Sequence, residues 1–122
     1  MSDLQQEIDA KAVAPRITPA AIEANIVQET YFTAADGHAG ANEETLEGDN
    51  PLHLLTFCVL TLKNGFTVTG ESACASPENF DAEIGRKVAR ENAINKIWPL
   101  MGYELKGRLH QIEQLRAQVG AA

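Results

Sequence analysis

From Leu54 to Cys74 the chain reads LLTFCVLTLKNGFTVTGESAC, two runs of alternating apolar and polar residues on either side of Asn64-Gly65. Alternation is the strand period, and Asn-Gly between such runs signals a hairpin, because a type I′ turn needs positive φ at both central residues. A two-residue turn sets Lys63 opposite Phe66, Leu60 opposite Thr69, Cys58 opposite Glu71 and Leu55 opposite Cys74. Strands over residues 53–63 and 66–74 then carry Phe57, Val59, Phe66 and Val68 on one face, the better candidate to pack on helices. Cys58, Leu60 and Leu62 share the other face with Thr67, Thr69 and Glu71. Gly70 leaves room for close approach of another element, or marks a bulge.

After the hairpin the period changes. Ser76-Pro77 predicts a helix over 77–98, ended by Pro99 because the residue before a proline resists the α region. A second helix follows over about 103–119, with Leu105, Leu109, Ile112, Leu115 and Val119 as its stripe. Gly107 weakens it by roughly 1 kcal/mol relative to alanine, and the tail 120–122 is expected to fray. Upstream, residues 1–17 are polar and loose or partly helical. Thr18-Pro19 is an N-cap and first helical residue for a short helix, and IVQETYFT over 26–33 is a strand. Residues 34–51, with three glycines and five acids, read as a long exposed loop. The expected fold is α+β, one domain over 1–122: a polar segment (1–17), a short helix and antiparallel sheet (18–75), and two C-terminal helices (77–119).

Wound at 100° per residue, the first of these helices gathers Phe80, Ile84, Val88, Ile94 and Trp98 into one stripe. Lys87, Glu91 and Asn95 fall in the same stripe and Asn92 at its edge. Buried polar groups must be hydrogen-bonded. This face therefore pairs them internally, meets a partner chain, or lines a pocket. Lys87 and Glu91 are an i, i+4 pair able to satisfy each other. Asn92 and Asn95 offer donors and acceptors together, as a nucleobase edge or ribose does. The few aromatics, Phe57, Phe66, Phe80, Trp98 and Tyr103, read mostly as core. Phe80, near the helix start, is the best placed to stack on a base.

Charge sharpens this picture. The 122 residues carry a net charge of −7, unevenly spread. Residues 1–50 hold ten acids and two bases (−8), whereas 86–116 hold seven bases and three acids (+4). The acidic half argues against duplex DNA, and the local basic excess suits a small anion such as a phosphate. No apolar run reaches the roughly 18 residues of a membrane span, and the acidic N-terminus lacks a signal peptide's apolar region. The reading is a soluble, intracellular protein. Cys58 and Cys74 are expected on opposite sides of the ribbon and unbridged. His38, His53 and His110 are scattered without ligand-like spacing to cysteine. No Gly-rich phosphate loop or G-x-S-x-G is present, and no histidine has an obvious nucleophile partner. The acids Glu78, Asp81 and Glu83 are ordinary at a helix start. The expectation is a protein without catalytic residues, metal or cofactor.

The strings CVLTLKNGFTVTGESAC and NFDAEIGRKVARENAINKIWPLMGYELKGRL, about residues 54–109, resemble a widespread family of small phage and prophage proteins. LKNGF, the GESAC strand end, and NKIW followed by GY carry the resemblance. That family is taken to include the Thoeris anti-defence proteins of the first described type. The resemblance implies a sponge in the cytoplasm of an infected bacterium. It would bind the cyclic ADP-ribose isomer made by a host TIR-domain enzyme, or cyclic oligonucleotides, without cleaving them. It also implies a homo-oligomer, dimer or hexamer, with pockets at subunit interfaces. An aromatic near the helix start, an asparagine on that helix and arginines on the diphosphate would be the contacts. Here these roles match Phe80, Asn92 (with Asn95 competing) and Arg108, with Arg86, Arg90 and Arg116 as further candidates. The alternative reading is a non-catalytic interaction protein whose helix face meets another subunit or a host protein.

Overall fold

The computed structural model describes residues 3–121. In chain order it comprises α1 (Asp3–Lys11), α2 (Pro19–Asn25), β1 (Ile26–Thr33), α3 (Ala34–Asn42), β2 (Leu55–Leu62), β3 (Thr67–Ala73) and α4 (Ala82–Ala121), with 3-10 turns at Pro51–Leu54 and Pro77–Asn79. The fold is α+β: an antiparallel three-stranded sheet in the order β1-β2-β3, with the long helix α4 laid across β3 and β2. Thr18 caps α2 as expected, its hydroxyl accepting from Ala21 N–H at 3.0 Å.

The hairpin forms where expected but one residue out of register. Cys58 faces Gly70, Leu60 faces Val68 and Leu55 faces Ala73. The connection has three residues, not two. Leu62 N–H donates to the Phe66 carbonyl at 2.8 Å and Gly65 N–H to the Leu62 carbonyl at 2.9 Å. Only Gly65 takes positive φ, +88°. Asn64 stays at negative φ, its Oδ1 accepting from Phe66 N–H at 2.9 Å. This is the three-residue loop with a left-handed glycine rather than a type I′ turn. A one-residue slip regroups the faces. The buried set is Cys58, Leu60 and Leu62 with Val68, not Phe57, Val59 and Phe66. Phe66 is 54% exposed. Phe57 instead stacks on Phe32 across the sheet's other face, ring centroids 5.5 Å apart. The two thiols are free, though for a different reason than expected. Cys74 lies four strand positions beyond Cys58's partner Gly70, about 13 Å along the ribbon.

Gly70 is where the helix docks. A Cβ there would overlap the Ala89 carbonyl oxygen and the Ala93 nitrogen. The face of α4 turned to the sheet is accordingly its smallest one: Gly85, Ala89, Ala93 and Ile97 are buried. Ile84 and Val88, expected inside, are 59% and 39% exposed. Close backbone approach, not side-chain volume, selected the buried face. The core joins Ile22, Cys58, Leu60, Leu62, Val68, Ala89, Ala93 and Ile97, edged by half-buried Tyr31, Ile94, Trp98 and Met101.

Two helices were expected after the hairpin; there is one, of 40 residues, with Pro99 inside it. Proline removes one i→i−4 bond and crowds the preceding turn, a cost of about 3 kcal/mol. Ile94, Ile97 and Trp98 before it and Met101 after it pack on the same core, so the helix is held on both sides of the break. Ser76-Pro77 opens only the short 3-10 turn. The α4 cap is Asp81, whose Oδ1 accepts from Glu83 and Ile84 N–H at 2.9 and 3.1 Å. The expected loop over 34–51 begins instead with α3. Its Thr33 and Asp36 form a reciprocal capping box at 3.0 and 3.1 Å. The helix α1 has no buried residue, and Arg16 reaches back to its Asp9 at 2.9 Å. Of the tail expected to fray, residues 120–121 continue α4; Ala122, like residues 1–2, lies outside the described residues.

Candidate functional site

Arg90 leaves α4 toward β1 and α2. It donates to Glu23 at 2.9 and 2.6 Å, and to Glu29 at 2.9 and 3.3 Å. Tyr31 adds a hydrogen bond to Glu29 at 2.7 Å. The guanidinium bonds hold both carboxyls below their usual range. Burial, then the Glu29 carboxylate, pushes the Tyr31 phenol up, and burial raises the Cys58 thiol behind it. The two carboxylates in turn raise Arg90. Of the cationic candidates, Arg90 is thus committed to holding α2 and β1 on α4. Arg86 stands beside it over a 270 Å³ cleft with Lys87 and Glu83. Lys87 pairs with Glu83 at 3.3 Å rather than with Glu91.

Asn92 is also committed. Its Nδ2 donates to the Glu71 carbonyl at 2.8 Å. Leu62–Phe66 and Leu54–Cys74 are hydrogen-bonded across the hairpin, so bonded pairs fall at even positions of β2. Phe57 and Glu71 therefore face each other without exchanging bonds, and the Glu71 carbonyl points outward from the free edge of β3. Asn92 ties the helix to that edge. Asn95, one turn further, is exposed, and its side chain makes no hydrogen bond among the described residues.

Phe80 sits half-buried between the 3-10 turn and α4, on a 290 Å³ cleft with Leu54, Cys74, Asn79 and Ile84. Beneath that end of the helix, the Thr56 hydroxyl is buried with no hydrogen-bond partner among the described residues. Its oxygen lies 3.1 Å from where a Gly85 Cβ would stand. Arg108 is exposed, 4.0 Å from Glu104, and lies beside Lys63 and Asn64 of the turn. Arg116 is exposed near the end of α4, in no ion pair among the described residues.

These candidates do not converge within one chain. At 1.5 Å per residue, Asn92 and Arg108 are roughly 24 Å apart along α4, and Phe80 and Arg108 roughly 40 Å. The structure pairs Arg86 with Arg90, and separates Phe80, Asn92, Arg108 and Arg116. Sequence reasoning missed Lys63, Asn64 and Asn25, which line one groove with Arg108 and Glu104. Among the described residues no cluster of three or more His, Cys, Asp or Glu could hold a metal ion. No helix there is long and apolar enough to cross a membrane.

Residues 17–109 match the model of the phage protein (N4 Gp49/phage Sf6 gene 66) family, spanning α2, the sheet and α4 through its basic middle. The chain belongs to this family. The matched span contains Phe80, both α4 asparagines and Arg108, and leaves out α1 and Arg116. No curated protein and no solved structure matches the chain.

Proposed function

We propose that this phage-family protein is a non-catalytic sponge for cyclic nucleotide signals, cyclic ADP-ribose isomers or cyclic oligonucleotides, acting in the cytoplasm of the infected bacterium. The observation that carries the reading is the division of labour on α4 and the turn that leads into it. Arg90 and Asn92 are spent on the fold, while Phe80, Asn95, Arg108 and Arg116 are left accessible on an otherwise acidic protein. An aromatic face, an amide and guanidinium groups are what a base, a ribose and a diphosphate require. Because Phe80 lies just before α4 and Arg108 roughly 40 Å along it, a complete site needs a second copy of the chain. Phe80 comes from one subunit with Arg86 at the rim, while Asn95, roughly 20 Å further along α4, and the Arg108–Arg116 pair come from other copies.

Sequestration needs tight binding and slow release only. A dissociation constant of about 10 nM corresponds to about −11 kcal/mol. The test is calorimetric titration with cyclic ADP-ribose isomers and cyclic di- and trinucleotides, followed by heat release and chromatography of the ligand. Intact ligand, and loss of about tenfold or more in affinity for Phe80→Ala and Arg108→Gln with unchanged thermal unfolding, are expected. Cleaved ligand would make the protein an enzyme. Silence across the panel sinks the sponge.

A second reading has its own observation. Ile112, Leu115 and Val119 are 44%, 61% and 78% exposed on a helix that has left the sheet. A non-catalytic interaction protein would dock another subunit or a host protein there.

A further inference from the structure

Where the β2–β3 turn comes against α2 and α4, two clefts adjoin. Asn25, Asn64, Met101 and Glu104 line both. One, of about 340 Å³, adds Lys63 and Arg108; the other, of about 190 Å³, adds Leu62, Phe66 and Leu100. The larger reaches the size at which small-molecule pockets begin, about 300 Å³.

The two amides are fixed in orientation by the backbone. Asn64 Oδ1 accepts from Phe66 N–H at 2.9 Å, and Asn25 Oδ1 accepts at 3.2 Å from Lys63 N–H, a donor it shares with the Asn25 backbone carbonyl at 3.0 Å. A backbone N–H only donates, so the side-chain atom facing it must be the oxygen in both cases. Both Nδ2 groups are thereby pinned as donors, and neither has an acceptor among the described residues. Lys63 is in no ion pair there, and Arg108 meets only Glu104, at 4.0 Å. Two oriented amide donors and two cations thus face one carboxylate, on a protein of net charge −7. Beside them runs an apolar wall of Leu62 on the inside with Phe66 and Leu100, 54% and 41% exposed, on the outside. Exposed Phe66 presents its ring to whatever enters.

We infer that this groove, within a single subunit, binds a nucleoside phosphate. The phosphate sits between Lys63 and Arg108 and the base against Phe66. Asn25 and Asn64 donate to acceptors on the base, and Glu104 accepts from the ribose hydroxyls. The inference rests on the nucleotide-binding reading for its ligand class, but not on Phe80 or on a second copy.

The probe is AMP, with adenosine and inorganic phosphate as its halves, titrated into the ¹⁵N-labelled full chain and followed by NMR. AMP should shift the Asn25 and Asn64 side-chain NH₂ signals and the Phe66 amide saturably below about 1 mM, with each half weaker than AMP. Asn25→Asp and Asn64→Asp keep the oxygen that takes the backbone N–H, replace the NH₂ donor by a second oxygen and add a negative charge, so uncharged adenosine must weaken along with AMP if the donors hold the base. Each should weaken AMP by about tenfold or more while the other amide signals stay in place. Lys63→Gln should weaken phosphate and AMP alike. Absent shifts at about 5 mM AMP, shifts elsewhere on the protein, or unchanged affinity in both aspartate variants would overturn the inference. The two readings fail separately. Cyclic ADP-ribose binding with a silent groove leaves the sponge standing without this site. AMP in the groove with no cyclic nucleotide bound leaves the site standing without the sponge.

Discussion

The two halves of α4 are one continuous helix under two different regimes. Up to Met101 it is clamped: Gly85, Ala89, Ala93 and Ile97 are buried on the sheet, and Arg90 ties it to α2 and β1. Beyond residue 109 every described side chain is exposed. Helices gain most of their stability in proteins from packing, and an isolated stretch of 12–15 residues is marginal in water. The first half is therefore helical because the sheet requires it. The second has an apolar stripe of similar spacing and nothing to lay it on. Sequence periodicity made the two look alike; tertiary contact separates them.

The sharpest way to break the contrast is at the contact itself. Gly70→Ala places a Cβ into the backbone of α4 at Ala89 and Ala93, and is expected to cost about 3 kcal/mol or more. Chemical denaturation measures it. A loss below about 1 kcal/mol would show that the helix can ride up without penalty. Next comes a matched pair. Ile97→Ala should lose roughly 2–5 kcal/mol, since its side chain is fully buried. Leu115→Ala should stay within about 0.5 kcal/mol at low protein concentration. A large Leu115 effect that grows with concentration would show that the second half is covered by another copy.

A smaller effect than at Gly70 or Ile97 concerns the clamp's charges. Glu23 and Glu29 titrate below their ordinary value of 4.5, Arg90 being the first cause. Their contribution is present above that pH and lost as pH falls through the depressed values. Arg90→Gln should lower stability near neutrality by about 1 kcal/mol, kept small because the pairs are partly solvated. It should also flatten the loss of stability below about pH 4.5. Some acid sensitivity persists, because Asp36, held down by the Thr33 backbone and hydroxyl, is untouched. Thermal melts from pH 3 to 7 decide it; an identical slope in the variant removes the clamp from the account.

Much of the fold was legible. Thr18-Pro19, the β1 segment and the hairpin each carried a local signal that the chain obeys. The register was not, because Asn-Gly serves two turn types that differ by one residue, and only the φ of Asn64 distinguishes them. Pro99 misled because its cost is local while its compensation, Ile97 and Met101 on a distant sheet, is not. The capping box of α3 was readable in Thr33-Ala34-Ala35-Asp36 but was hidden by the glycines that follow. Among the candidates, Phe80 was named from its residue type and place at the helix start and Arg108 through the resemblance. Asn25 and Asn64 were not, since what makes an amide available is which of its two atoms the backbone has already taken.

Asn92 has a consequence for how copies of this chain can associate. Strand edges invite further strands, and a sheet with an open edge can grow without limit. On β3 the outward carbonyl of Glu71 is already occupied by the Asn92 amide, and α4 lies over the adjacent Gly70. Addition of a strand at that edge is obstructed, while the helix surface remains open. Another strand adding at this edge would first have to displace the Asn92 amide from Glu71.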